Sequence, residues 1–132
     1  MKTLIVEDDP ASSLTMGKMI SRYGSFDAVV NGTQALDMFR QAHKSNSRYD
    51  LILMDIMLPE TNGLVSVLAM REIEAHSNIS LMHRVKIIMT TSLDDPRTVM
   101  KALYESDADS YLVKPIRFQK LEDELRTLKL IS

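Results

Sequence analysis

Asp55 follows the apolar run Leu51-Ile52-Leu53-Met54 and opens the segment Ile56-Met57-Leu58-Pro59-Glu60-Thr61-Asn62-Gly63. A carboxylate directly after a buried strand sits at that strand's C-terminal edge, where open α/β sheets bind their ligands. Three more apolar runs end in polar, chemically able side chains. Leu4-Ile5-Val6 runs into Glu7-Asp8-Asp9, Val85-Lys86-Ile87-Ile88-Met89 into the hydroxyls of Thr90, Thr91 and Ser92, and Tyr111-Leu112-Val113 into Lys114-Pro115. Acids, a central acid, hydroxyls and a lysine at successive strand ends are a charge layout for a divalent cation and a phosphoryl group.

The chemistry follows from the residue types. Magnesium takes about six oxygens, usually one or two carboxylates with waters and a phosphate oxygen. Glu7, Asp8 and Asp55 can supply the carboxylates. Asp55 is the candidate nucleophile, because a carboxylate can attack phosphorus and form an acyl phosphate. In phosphoryl transfer the protein mostly positions groups and neutralises charge on the equatorial oxygens. The cation takes one such oxygen and Lys114 another. The Thr91 hydroxyl and nearby backbone N–H groups take the third. Three carboxylates in a metal-free pocket repel, so one pKa should rise until the cation binds. Plainer readings exist for each feature. Glu7-Asp8-Asp9 alone could be a solvated turn with a capping acid, Asp55 a turn residue, Lys114 a solvated lysine and Tyr111 a half-buried strand aromatic. Their joint occurrence at four strand ends favours chemistry. Asp9 is the exception, better read as a helix-start acid than a ligand.

The elements that must position these residues alternate between strand-like and helix-period segments, which predicts a parallel sheet with helices on both faces. Strands are expected at about 2–7, 27–30, 50–54, 85–89 and 110–113. The first helix carries Leu14, Met16, Met19, Ile20 and Tyr23 as apolar positions and stops near Gly24. Asn31-Gly32-Thr33 starts a second, burying Leu36, Phe39 and Ala42 or their neighbours, and His43 to Arg48 reads as a connection. Gly63 opens a third with Val67, Leu68 and Met70 to Ile73. Residues 75–84 are long for a helix-to-strand connection. Asp95-Pro96 is a good helix start, and the last helix carries Phe118, Leu121, Leu125 and Leu128.

A length of 132 residues predicts one domain, residues 1–132, with no room for an output domain after the last helix. There are no cysteines, which excludes disulfides and thiolate chemistry. No apolar run approaches a membrane span, and the chain enters a strand pattern at once, so a cytoplasmic protein with no membrane partner is expected. The net charge of −2 with both signs interleaved gives no basic stripe for nucleic acid. His43, His76 and His83 lack ligand spacing and read as surface residues. The ten methionines read as core filler.

The four motifs, Leu4 to Asp9, Asp55 to Gly63, Thr91-Ser92 and Tyr111 to Pro115, resemble the receiver domains of two-component response regulators, the chemotaxis-regulator fold, across essentially the whole chain. The resemblance implies a flavodoxin-like, doubly wound α/β fold with a five-stranded parallel sheet of order 2-1-3-4-5. It implies that Asp55 accepts a phosphoryl group from a sensor histidine kinase or histidine phosphotransfer protein, with magnesium (or manganese) as cofactor. Asp8 and Asp55 would ligate the metal directly, Glu7 through water, and the Met57 backbone carbonyl would complete the protein shell. It implies a cis Lys114-Pro115 bond, and a switch in which Thr91 moves toward the phosphoryl group while Tyr111 rotates inward. Thr90 could be the switch hydroxyl instead, but the run from Thr91 to Asp95 aligns better. Ser92 matches a position kept small for access to phosphorus. Output would leave through the face of the fourth helix, fifth strand and fifth helix to a partner protein or a phosphorelay.

Two departures stand out. Asp107 occupies a position usually glycine, which bears on stability more than chemistry, and the long segment 75–84 could be a partner-specific feature. Two rivals remain in view. An aspartate-nucleophile phosphatase needs a second acid two residues after the nucleophile, where Met57 stands. A receiver-like module that is never phosphorylated would not need the full set Glu7, Asp8, Asp55, Thr91 and Lys114. The expectation is a regulatory phosphoacceptor, not an enzyme acting on other substrates.

Overall fold

The computed structural model describes residues 1–58, 62–92 and 96–132, apart from the side chain of Thr98. Five strands, β1 (Lys2–Val6), β2 (Ser25–Val29), β3 (Leu51–Asp55), β4 (Lys86–Thr91) and β5 (Ser110–Val113), form one sheet in the order β2-β1-β3-β4-β5. All neighbours are parallel. The connecting helices are α1 (Pro10–Ile20), α2 (Gly32–Lys44), α3 (Gly63–His76), α4 (Pro96–Ser106) and α5 (Phe118–Thr127). The expected α/β architecture and strand order are both present. The proposed capping acid Asp95 lies outside the described residues, as do Pro59, Glu60 and Thr61.

β3 is buried at every position. A parallel strand between two others and covered on both faces has no polar side, so its sequence does not alternate. Its pleat still sorts the side chains. Ile52 and Met54 join Leu4, Val6, Ile87 and Met89 against Phe39 of α2 and Met70 of α3. Leu51 and Leu53 join Ile5 and Ile88 against Ile20 of α1 and Leu121 and Leu125 of α5. β1 lies between β2 and β3, so the strand order reverses direction there and the crevice opens beyond the C-terminal ends of β1 and β3.

Side-chain caps set the helix starts. Asp9 accepts the Ser12 backbone N–H at 3.1 Å and the Ser12 hydroxyl at 2.7 Å, confirming it as a helix-start acid. Asn31 and Asn62 accept the N–H groups of Gln34 and Leu64, each at 2.8 Å.

Several boundaries and faces differ from the sequence reading. α2 runs through His43 and Lys44, so the connection is shorter than expected. Its buried residues are Gly32, Ala35, Phe39 and Ala42, with Leu36 only partly covered. The segment 75–84 is not all loop: α3 extends to His76, and Leu81–His83 form a 3-10 turn. Leu14 and Leu68 point outward, 62% and 44% exposed. Periodicity identifies an apolar position but not whether a neighbouring element covers it. The methionines divide likewise: Met16, Met54, Met70 and Met89 are core, while Met57, Met82 and Met100 are exposed.

The run Met70 to Ile73 conceals a buried ionic cluster. Arg71 donates to Glu74 at 2.8 Å, to Asp109 at 3.0 Å, and to the carbonyls of Val85 and Asp107 at 2.9 and 3.0 Å. Glu74 also accepts the Val85 N–H at 2.7 Å, and Asp109 the Ile87 N–H at 2.8 Å. α3 is thereby tied to the start of β4 and to the turn before β5. Asp107 takes the left-handed conformation, φ 62°, that a glycine would adopt freely. Its carboxylate grips Arg84 at 2.5 and 3.3 Å. That guanidinium holds the Asp107 carboxyl below its usual range. The ion pair gives the aspartate a role that glycine lacks.

Breaking one partner of a buried ionic cluster leaves the others desolvated and unpaired. Arg71→Met is therefore expected to lower unfolding free energy by about 3–5 kcal/mol, read from urea denaturation.

Candidate functional site

The acid pocket forms where β1 and β3 end side by side. Val6 pairs with Met54 in the parallel register, so Glu7 and Asp55, the next residue on each strand, emerge together. Carboxylate oxygens of Glu7, Asp8 and Asp55 lie within 4.8 Å of one another. The side chains of Glu7 and Asp55 are 0% and 6% exposed, whereas Asp8 is open to solvent. β5 delivers Lys114. Its backbone N–H donates to the Thr91 carbonyl at 2.7 Å, and the Lys114-Pro115 bond is cis. The ammonium donates to Asp55 Oδ2 at 2.9 Å and also to Glu7 Oε1.

Both buried acids are fully engaged. Glu7 Oε2 accepts the Asp9 N–H at 3.1 Å, and Asp55 Oδ1 accepts the Met57 N–H at 3.0 Å. Burial pushes the Glu7 pKa up. The bonds from Lys114 and the Asp9 N–H pull it back, the neighbouring Asp55 adds to the rise, and the net shift is upward. For Lys114 burial works downward, but hydrogen bonds to Glu7 and Asp55 outweigh it and the ammonium form is favoured.

α3 closes the pocket from the other side. The Gly63 N–H donates to the Ile56 carbonyl at 2.9 Å, and a Cβ on Gly63 would lie 2.1 Å from the Asp55 carbonyl oxygen. A helix start this close to the β3 backbone requires glycine.

The donor set fits a hard divalent cation. It consists of carboxylate oxygens only, with a solvent-exposed acid at the mouth and no soft ligand, as magnesium or manganese prefers. Met57 follows the pocket directly, its side chain 63% exposed.

Thr91 and Tyr111 share a sheet face. Tyr111 pairs with Met89 and Thr91 with Val113, so the two sit diagonally on the α3–α4 side. Thr91 is fully buried and Tyr111 half-buried. Thr90 points to the opposite face, and its buried hydroxyl has no hydrogen-bond partner. The pleat thus groups Tyr111 with Thr91, the alternative the sequence alignment preferred. Ser92 is exposed. None of the histidines joins the pocket. His76 and His83 are exposed as expected, but His43 is half-buried, its ring 4.5 Å from that of Phe39.

The response regulator receiver domain model matches residues 3–126. The chain belongs to the response regulator receiver family. A hybrid signal transduction histidine kinase from Dictyostelium discoideum is 33% identical over 96% of this chain, which covers 7% of that protein. The DNA-binding response regulator MtrA of Mycobacterium tuberculosis H37Rv is 36% identical over 93% of this chain and 48% of its own length. The chain thus spans half or less of these relatives. Among solved structures, the receiver domain of the Arabidopsis thaliana histidine kinase CKI1, complexed with Mg2+ and BeF3−, superposes with a TM-score of 0.82 at 20% identity, covering 98% of this chain and 90% of that one. Receiver domains of two-component systems are regulatory phosphoacceptors, and this receiver carries the acidic cluster at which such domains bind Mg2+.

The arrangement predicts how the receiver binds metal. Asp8→Asn is expected to weaken magnesium affinity at least about tenfold, while Asp9→Asn, which removes a cap, has a smaller effect, as read by metal titration. Gly63→Ala should impair both stability and metal binding, because the added methyl displaces the Asp55 backbone. Thermal melts with and without magnesium would separate the two losses.

Proposed function

We propose that Asp55 accepts a phosphoryl group from the phosphohistidine of a sensor histidine kinase or histidine phosphotransfer protein. The observation that carries this reading is Asp55 held at the strand switch point, between the Lys114 ammonium and an exposed, metal-competent acid. An Asp55 carboxylate oxygen attacks phosphorus, the P–N bond breaks, and its electron pair returns to the imidazole ring. Lys114 stays beside the oxygen of Asp55 that it already contacts and neutralises charge on the arriving group. Asp8, Asp55 and the Met57 carbonyl would hold a magnesium ion, with Glu7 acting through water, and the ion would supply further charge neutralisation. Later attack of water on the acyl phosphate restores the carboxylate. The donor docks over the apolar shelf beside Asp8, where Leu14, Phe26 and Val30 border a groove of about 360 Å3. This gives the exposed Leu14 a purpose that core packing does not.

The phosphorylated state acts through a switch. A phosphoryl group adds roughly −1.5 to −2 charge and strong acceptors. Thr91 moves toward it, and the space left on the shared face draws in the Tyr111 ring, since packed interiors tolerate voids poorly. The outer surface of β5 then changes shape. A groove of about 670 Å3 follows β5 and α5 past Tyr111 and Lys120, and Met100 and Tyr104 stand 58% and 91% exposed on α4. This α4-β5-α5 face passes the signal to a downstream protein. Residues 1–132 act as one receiver unit, and no other segment within them is left over as an output element. We place the work in the cytoplasm, where kinase donors are charged. No helix among the described residues is long and apolar enough to cross a membrane, and no direct nucleic-acid role is assigned to these residues.

Asp55→Ala is expected to abolish labelling by acetyl phosphate, checked by intact-protein mass spectrometry. Undiminished labelling mapped to another residue would sink the assignment. Beryllofluoride with magnesium should shift backbone amides along residues 98–120 and leave 31–42 largely unmoved. Shifts confined to the pocket would defeat the switch and leave phosphorylation standing.

A further inference from the structure

A second groove, lined by several cations, lies at the opposite, N-terminal edge of the sheet. It encloses about 500 Å3 between the chain entering β3, the 3-10 turn and the end of α5. Arg48, Lys86 and Lys129 line it, and none makes an ion pair among the described residues. Arg84 also lines it but is engaged by Asp107. The acid in the lining, Asp50, accepts the Lys2 backbone N–H at 2.8 Å. The groove therefore carries an excess of positive charge on a chain whose net charge is −2. Its rim is apolar: Leu81 and Met82, in the 3-10 turn, are 75% and 86% exposed.

The surroundings hold this surface in place. Ser80 Oγ and His83 Nδ1 lie 2.7 Å apart across the turn. The next residues, Arg84 and Val85, are fixed by Asp107 and by the buried Arg71–Glu74 pair. The Lys2 ammonium sits 4.6 Å over the Tyr49 ring on the groove's other flank. Leu130 N–H donates to the Leu125 carbonyl at 2.9 Å, which pins the chain after α5. Exposed apolar side chains on a hydrogen-bonded turn, beside cations that outnumber the one acid in the lining, mark an interaction surface. Neither the acid pocket nor the α4-β5-α5 face uses it. It lies a full strand length from Asp55, roughly 15 Å.

We propose that this groove docks an acidic segment of a partner protein that carries a leucine or methionine anchor. The carboxylates of such a segment answer Arg48, Lys86 and Lys129, and its apolar side chain packs on Leu81 and Met82. A nucleic acid would satisfy the charges but leave those two side chains in water. Because the groove is remote from Asp55, a partner held there leaves the acid pocket open to a phosphodonor.

The test is fluorescence anisotropy of the full chain with a fluorescein-labelled peptide in which leucines are spaced among glutamates and aspartates. The expected result is saturable binding that weakens with salt as exposed charges are screened. Lys86→Glu combined with Lys129→Glu should weaken it at least about tenfold, as loss of facing charges does. Met82→Ser keeps every charge and should weaken it several-fold by a second route. Both variants should still be labelled at Asp55 by acetyl phosphate. The proposal is overturned if the charge reversal leaves binding unchanged, or if a peptide with serine in place of leucine binds as well. Equal binding of a single-stranded oligonucleotide would overturn it in favour of nucleic acid. Self-association of the chain through this groove would overturn it in favour of a second copy.

Discussion

One ammonium group sits between two buried carboxylates that would otherwise repel. Lys114 donates to both Glu7 and Asp55, which are almost wholly buried. Two like charges in a low-dielectric site cannot both stay ionised without a counter-charge. The rest of the fold is arranged around this contact. β1 and β3 must be adjacent and in register to bring the acids together. β5, two strands away from β3, must send its C-terminal residue back across the sheet edge, and the bond from Lys114 N–H to the Thr91 carbonyl guides it there. The arrangement is neutralised only in part, since three acids face one lysine with Asp8 at the mouth. In the proposed function a divalent cation would complete the balance, and a phosphoryl group would then restore negative charge. The pocket is thus poised for the ligands that its residue types suggest.

Much of this was legible in the sequence because strand ends are punctuated. An apolar run that stops at a carboxylate, a hydroxyl or a lysine declares both the strand and the sheet edge. Glu7, Asp8, Asp55, Thr91 and Lys114 could therefore be grouped before any coordinates. Asp9, directly after the acid pair, was read as a helix-start acid and not a ligand, and Asp9 is indeed the cap of α1. The strand order came through resemblance, since periodicity gives the elements but not their lateral sequence.

What escaped the sequence depends on tertiary neighbours. Arg71 sits among Met70, Glu72 and Ile73 and carries no local sign that its guanidinium is buried. Only the approach of Asp109 and of the Val85 and Asp107 carbonyls supplies its partners. Leu14 has the spacing of a core residue, yet no element covers it. The segment 75–84 looked like an overlong connection because its helix end and its 3-10 turn are both polar at their boundaries. Asp107 looked like a departure that weakens a turn. Its pairing with Arg84, itself in the unusual segment, shows the two departures to be one feature.

That feature bears on the switch. The C-terminal end of α4 is held by two guanidinium groups: Arg71 binds the Asp107 carbonyl and Arg84 the Asp107 carboxylate. Both arginines are in turn anchored near the start of β4, and Arg71 is paired within α3. The other end of α4 follows in sequence from Thr91, the hydroxyl that moves toward the incoming charge in the proposed mechanism. Under the proposed switch, a helix fixed at its C-terminal end would respond by pivoting, not by sliding as a whole. The largest displacement would then fall at its N-terminal turn. In the proposed switch, the exposed Met100 and Tyr104 would move by amounts graded along its length, with the Arg84–Asp107 pair as the fulcrum. Glycine at position 107 would relax the backbone but remove the Arg84 pair, so the aspartate gives up a little backbone ease for an anchored helix end.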